Sequence, residues 1–357
     1  MSPVHALDMY YLAMTLLVTI GYQLLGFAIA WTFQFDKITD FTGGSNFFLL
    51  ALLTLLTGNT YHTRNVVTSI LVMVWATRLA GFLLFRVLKT GSDTRFDDIR
   101  SHFFKFLGFW VKLSGYTQLH LPFFLLLIPR QVWVVSLPVT ILNSPAVSDP
   151  SLGSFNPAFG TGRDVAGVVL WVIGWLIESI ADIQKFRYKS SNPPKDRPMN
   201  TGLWKWSRHP PYFGEMLCWW GIWALCLSPT TNGTLPDGAR SAQYGSVVSP
   251  IFTVLLLMFA SGIPTAEKPT ARKYYLMSHT HSGSSSDSHN PEYPDAWKKY
   301  QSYLASTSIL IPIPPVIYRS LPTFLKRTVF LDFPIYRFGE EDGKRAVEEE
   351  RMNRDTN

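Results

Sequence analysis

Long apolar blocks separated by short polar loops run through almost the whole chain. Leu7 to Phe33, Val66 to Leu88, Val165 to Ile183 and Val247 to Gly262 are each rich in Leu, Ile, Val, Phe and Ala. A bilayer core of about 30 Å is crossed by roughly 20 mostly apolar residues in a helix, and these blocks meet or approach that length. Phe47 to Thr57 and Tyr212 to Leu227 are shorter blocks extended by their neighbours, and Phe103 to Leu142 is a longer one. The pattern predicts an all-α, polytopic integral membrane protein with about seven transmembrane helices.

The loops give an orientation. Five basic residues lie between Arg86 and Lys105, seven between Lys185 and Arg208, and Lys268, Arg272, Lys273, Lys298 and Lys299 follow Pro264. Basic loops stay on the cytosolic side. The loops Asn143 to Asp164 and Ser228 to Ser246 carry only Arg163 and Arg240, so they are expected in the lumen, where Asn232-Gly233-Thr234 is a glycosylation sequon. This alternation requires Phe103 to Leu142 to cross an odd number of times. Removing residues near 112–130 leaves one span of ordinary length, so that stretch reads as an insertion, re-entrant or interfacial.

Composition agrees with the membrane reading. Charged residues make up 16% of the chain, against about 25% in soluble domains. The net charge of +7 comes from loops between apolar blocks, which excludes a nucleic-acid surface as its explanation. Cys218 and Cys226 stand alone inside an apolar stretch, a pattern that gives neither a disulfide framework nor a metal site. Ser278 to Asn290 is a Ser/His tract read as a solvated loop, and Glu340 to Asn357 is a charged tail, frayed or helical.

Candidate chemistry gathers in two segments. Trp175 to Lys189 contains Glu178 and Asp182, one helical turn apart on one face, with Lys185 beyond. Carboxylates near the end of a membrane helix are costly to bury and face a polar cavity or a partner. Thr201 to Trp223 places Arg208, His209, Tyr212 and Glu215 where a basic loop opens an apolar helix. A helix N-terminus attracts anions, and Arg grips phosphate through paired hydrogen bonds. An interfacial belt of Arg208, Trp204, Trp206 and Tyr212 among lipid headgroups is the alternative.

Glu178-x-x-x-Asp182-x-Gln184-Lys185, Gly202-Leu203-Trp204 and Ser207-Arg208-His209-Pro210-x-Tyr212-Phe213-Gly214-Glu215 together resemble the C-terminal half of the steroid 5-alpha-reductase superfamily. The nearest likeness is to its uncharacterised membrane branch, which is related to sterol reductases and isoprenylcysteine carboxyl methyltransferases. The resemblance continues through Ser261-Gly262-x-Pro264, Glu267-Lys268 and Tyr293-Pro294 to Ile311-Pro312, and more loosely upstream at Trp75-x-x-Arg78 and Asp93 to Asp98. It implies NADPH bound from the cytosol by Glu178, Asp182, Lys185, Arg208, His209, Tyr212 and Glu215, with Arg272, Tyr275 and Tyr293 as further contacts.

The resemblance also implies reduction of a carbon-carbon double bond in a lipid or sterol-like substrate, in the endoplasmic reticulum membrane. Tyr212, Asp97 and Asp98 are then the candidate proton donors or polarisers. Two departures stand out. Pro211 occupies the place where the family has Asn, and the Glu and Tyr with which steroid enzymes polarise a carbonyl have no counterpart in Phe47 to Thr57 or at Trp75. A methyltransferase using S-adenosylmethionine and a non-catalytic scaffold with a degenerate site are the rival readings. The expected organisation is N-terminal helices over 1–142, the reductase-like membrane domain over 143–319 and a cytosolic tail over 320–357.

Overall fold

The computed structural model describes residues 3–33, 38–90, 127–280 and 291–355. Eleven helices carry the description: α1 (Leu12–Thr32), α2 (Ile38–Gly58), α3 (Thr63–Thr90), α4 (Leu127–Asn143), α5 (Gly162–Ser190), α6 (Pro210–Cys226), α7 (Asp237–Gly245), α8 (Val248–Leu255), α9 (Ile263–His279), α10 (Ala296–Ser306) and α11 (Glu340–Asp355). Shorter helical turns connect them, and among the described residues the only β-type pairings are two isolated bridges.

Five stretches are long and apolar enough to cross a bilayer: Leu12–Thr32, Phe41–Gly58, Thr63–Phe85, Gly162–Ser190 and Asp237–His279. The chain is an all-α integral membrane protein. Of the other expected spans, Tyr212 to Leu227 corresponds to α6, a helix of 17 residues. Phe103 to Leu142 is described only from Leu127 onward, as α4. Most of the suspected insertion near 112–130 therefore lies outside the described residues, as do Asp97, Asp98 and most of the Ser/His tract.

Helix α5 shows why such a sequence seeks lipid. Val165, Val169, Val172, Leu176, Ile180 and Ile183 recur every three or four residues and are all exposed, which makes one continuous apolar face. Helix α1 hides its polar groups instead. Thr15 and Thr19 are fully buried and donate back to the carbonyls of Tyr11 and Thr15, so no hydroxyl is left unpaired. The Asp8 carboxylate accepts from the backbone N–H groups of Tyr10, Leu12 and Ala13 at 2.8, 3.1 and 2.7 Å, capping the helix start.

The chain forms two compact units, Met1–Trp175 with Met216–Leu255, and Leu176–Glu215 with Leu256–Asn357. These divisions fall elsewhere than the boundaries at 142 and 319 read from the sequence. In the first unit α4 packs on α1, α2, α3 and α8, and α2 on α3. Phe47, Trp75 and Trp219 meet at its centre with ring centroids 5.1–5.5 Å apart, arranged edge-on or tilted as aromatic quadrupoles prefer. Helices α5 and α6 approach closely at Gly167 and Gly221, where a Cβ on either glycine would lie 2.6 Å from the other's carbonyl oxygen. Cys218 and Cys226 are buried in the same unit.

A buried ion pair closes one end of the first unit. Arg64, in the first turn of α3, and Asp164, in the first turn of α5, are 1% and 0% exposed. Arg64 Nε and Nη2 donate to the two oxygens of Asp164 at 2.8 and 2.9 Å. Its other donors reach the Asn156 side chain and the carbonyls of Pro157 and Ala158. Asp164 Oδ2 also accepts from Gly160 N, Thr161 N and Thr161 Oγ1, each at 3.0 Å. Every guanidinium N–H is satisfied, and residues 156–161 are wrapped around the pair.

Removing one member strands a buried charge. We predict that Arg64→Ala or Asp164→Asn lowers stability by about 3–5 kcal/mol, whereas Arg64→Met combined with Asp164→Leu loses much less than the sum of the two single losses. Thermal unfolding in detergent checks this; equal, additive losses would contradict it.

Candidate functional site

All ten residues assigned to cofactor binding from the sequence fall in the second unit. The segment bearing Arg208 is built first from its backbone. Ser207 pairs with Ser308 in a parallel bridge, Arg208 N donates to Ser308 O at 2.8 Å and Ile313 N to Trp206 O at 3.2 Å. Ser207 Oγ donates to Leu310 O at 2.7 Å and accepts from His209 N at 3.1 Å. The Ile309 to Ile313 stretch, too short to span a membrane, is therefore the backing strip of the Ser-Arg-His motif.

The Gly-Leu-Trp motif docks on the end of α5. Gly202 has φ +56° and a Cβ there would lie 2.5 Å from the Gln184 side chain, so only glycine fits the turn. Leu203 N donates to Gln184 Oε1 at 2.9 Å, and Trp204 Nε1 to Ala181 O at 3.0 Å. Lys185 Nζ lies 4.6 Å above the Trp204 ring, a cation–π contact. Glu178 is buried, Asp182 is half-buried, and Lys185 is exposed. Pro210 and Pro211 open α6, positions whose N–H groups have no helical partner in any case, so Pro211 is structurally unstrained where the resembling family has Asn.

Arg208 sits in a buried cluster. Its Nη1 lies 2.5 Å from Glu267 Oε2 and its Nη2 3.1 Å from Asp332 Oδ2. His209 Nε2 donates to Glu267 Oε1 at 2.7 Å, and Tyr318 Oη donates to Asp332 Oδ2 at 2.9 Å. Burial works against the Arg208 charge, but Glu267 and Asp332 outweigh it and hold its pKa above the ordinary value. The Arg208 fork, expected to grip phosphate, thus already holds two carboxylates. Its Nε–H is buried without an acceptor among the described residues.

From this cluster the site continues along α6. The His209 ring stacks on Tyr212 at 5.2 Å and 7°. The carboxylates of Glu215 and Asp182 both act on the Tyr212 hydroxyl electrostatically, and Lys185 acts on His209. Glu178 and Asp182 on one side, and His209, Tyr212 and Glu215 on the other, are therefore assembled within one unit. Such carboxylates can accept hydrogen bonds from the hydroxyl or amide donors of a bound molecule.

Three expected contacts lie apart from it. On α9, Glu267, Ala271, Tyr274, Tyr275 and Ser278 recur at helical spacing and are buried, whereas Arg272 and Lys273 face outward. Arg272 pairs with Glu349 of α11 at 2.7 Å. Tyr275 stacks on His279 at 4.0 Å and meets Trp297 edge-on. Tyr293 and Arg272 line a surface cavity of about 670 Å³ that none of the α5 and α6 residues line.

Two residues of the cluster lacked a role in the sequence reading. Glu267 was noted only as part of a motif. Asp332 was counted in the tail, although a single acid inside the apolar run Val329 to Tyr336 is the signal that marks it. Leu331, at φ 59°, turns the chain in a region that a branched residue rarely adopts, and it directly precedes that carboxylate.

His209 gives a pH test. Burial, the largest influence, pushes its pKa below the ordinary value of about 6.5 against the raising effect of Glu267. The folded protein then binds fewer protons than the unfolded chain, so the contribution of His209 is complete above about pH 6.5 and is lost as pH falls below it. We predict that the thermal midpoint falls on acidification from pH 7 to 5 and that His209→Gln flattens this dependence. An unchanged slope in the variant would contradict the assignment.

A family model described as protein of unknown function, DUF1295, matches residues 26–280. That range contains every α5 and α6 site residue together with Glu267, and stops before Tyr293 and Asp332. No curated protein and no solved structure matches the chain. The matched family is linked to steroid 5-alpha-reductase-like proteins. With more than half its length matched, the chain belongs to the DUF1295 family.

Proposed function

We propose that the protein is an NADPH-dependent membrane reductase acting on a carbon-carbon double bond of a lipid or sterol-like molecule. The observation that carries this reading is that Asp182 of α5 and Glu215 of α6 both act on Tyr212, on which His209 stacks, in the unit that also holds Glu178. The link of the family to steroid-reductase-like proteins supports it.

When bound, the cofactor supplies a hydride. Asp182 and Glu215 accept hydrogen bonds from its hydroxyls, and Lys185 supplies positive charge beside them. The Tyr212 hydroxyl delivers the proton to the carbon next to the one reduced, so hydride and proton together saturate the bond. Arg208 acts on this site indirectly, by fixing the His209 backbone and ring. The basic loops support a site on the cytosolic face, where a soluble dinucleotide would enter while the substrate arrives through the bilayer of the endoplasmic reticulum.

Retention of NADPH by the purified protein, read from energy transfer between its tryptophans and the cofactor, is the test. Asp182→Ala should weaken retention by roughly tenfold, the scale of one charge-assisted hydrogen bond. Tyr212→Phe should keep NADPH while turnover falls by about 10²–10⁴. Retention of S-adenosylmethionine instead would establish the methyltransferase reading, and retention of neither would establish a scaffold.

A further inference from the structure

Between the backing strip of the Ser-Arg-His motif and α11, residues 314–338 carry a pattern of their own. Pro314, Pro315, Pro322 and Pro334 divide the stretch into short helical turns, among them Pro315–Ser320 and Thr323–Thr328, and so many breaks prevent one helix from crossing a bilayer. Its large apolar side chains are nevertheless turned outward: Val316, Ile317, Phe324, Val329 and Ile335 are 50–83% exposed. Arg319, Arg327 and Arg337 are exposed among them.

The other side of the stretch is tied down within the second unit. Asp332, its only acid, meets Arg208 at 3.1 Å and accepts from Tyr318 Oη at 2.9 Å. Tyr318 and Tyr336 are buried. Phe333 stacks on Phe259 at 5.8 Å, and Tyr336 Oη donates to the Met258 carbonyl at 2.8 Å. Met258 and Phe259 belong to the apolar stretch Asp237–His279, which is long enough to cross a membrane, and Phe259 is itself exposed. Residues 314–338 are thus pinned to a membrane helix with their one negative charge turned in and their positive and apolar groups turned out.

We propose that this stretch lies on the bilayer surface and docks on anionic lipid headgroups. Exposed apolar side chains interspersed with Arg are the composition of a segment that rests in the membrane interface. The apolar groups enter the boundary between headgroups and acyl chains, while the long arginine stems keep their charge among the phosphates. A stretch read from the sequence partly as cytosolic tail is thereby a surface anchor. None of its residues is among those given to NADPH, so the proposal does not rest on the reductase reading.

The test attaches a fluorophore to Phe324→Cys in the full-length protein, reconstituted in nanodiscs whose lipids carry a nitroxide near the headgroup; the unchanged protein, with Cys218 and Cys226 both buried, gives the background. In discs containing phosphatidylserine the label should be quenched by the nitroxide and shielded from aqueous iodide. A label at Met352→Cys, exposed on the acidic helix α11, should show the reverse. Arg319→Glu with Arg327→Glu should lower the ratio of docked to undocked stretch by roughly fivefold or more per charge, and discs of phosphatidylcholine alone should act in the same direction. Because both arginines are exposed, the unfolding midpoint in detergent should stay where it was. Iodide quenching at residue 324 in place of nitroxide quenching would mark a face left for a protein partner and overturn the proposal. Equal quenching at the two labels, or nitroxide quenching indifferent to both charge changes, would overturn it as well.

Discussion

A buried guanidinium shared between two carboxylates is the constraint on which the second unit depends. Arg208 joins Glu267, on α9, to Asp332, 65 residues further along the chain. Each charge alone would be costly to bury, and together they are tolerable only in this arrangement. The backbone pairing of Trp206 to Arg208 with Ser308 to Ile313 sets the guanidinium in place. His209 and Tyr212 follow immediately, so the ring stack near the half-buried Asp182 of α5 inherits its position from the ion cluster.

The two buried arginines, Arg64 and Arg208, are matched differently. In the first unit, Arg64 has all its donors matched and Asp164 accepts from backbone and hydroxyl as well. Such closure leaves nothing for a ligand and reads as architecture. In the second, Arg208 keeps a buried Nε–H without an acceptor among the described residues, and Asp182 and Glu215 are half-buried.

Much of this was legible in the sequence because membrane physics leaves few choices. An apolar block of sufficient length must be a helix, so α1, α3 and α5 follow from pattern alone. Glu178, Asp182, Arg208, His209, Tyr212 and Glu215 were visible because charge at the end of an apolar helix is anomalous. Local pattern does not encode pairing between distant segments, and there the reading ran out. Arg64 and Asp164, 100 residues apart, carry no local signal of their pairing, and Asp332 falls in the stretch read as a tail. The family resemblance offers Arg272 and Tyr275 beside Arg208; on α9 Arg272 is exposed and Tyr275 packs on His279 and Trp297.

The central claim is that the α5 and α6 residues hold a hydride donor against a lipid. Its most direct measurement supplies NADPH deuterated at the reactive ring carbon to membranes containing the protein and follows the label by lipid mass spectrometry. The account predicts deuterium in a newly saturated lipid, absent when Tyr212 is replaced by Phe. Bound cofactor whose label never reaches any lipid would contradict it.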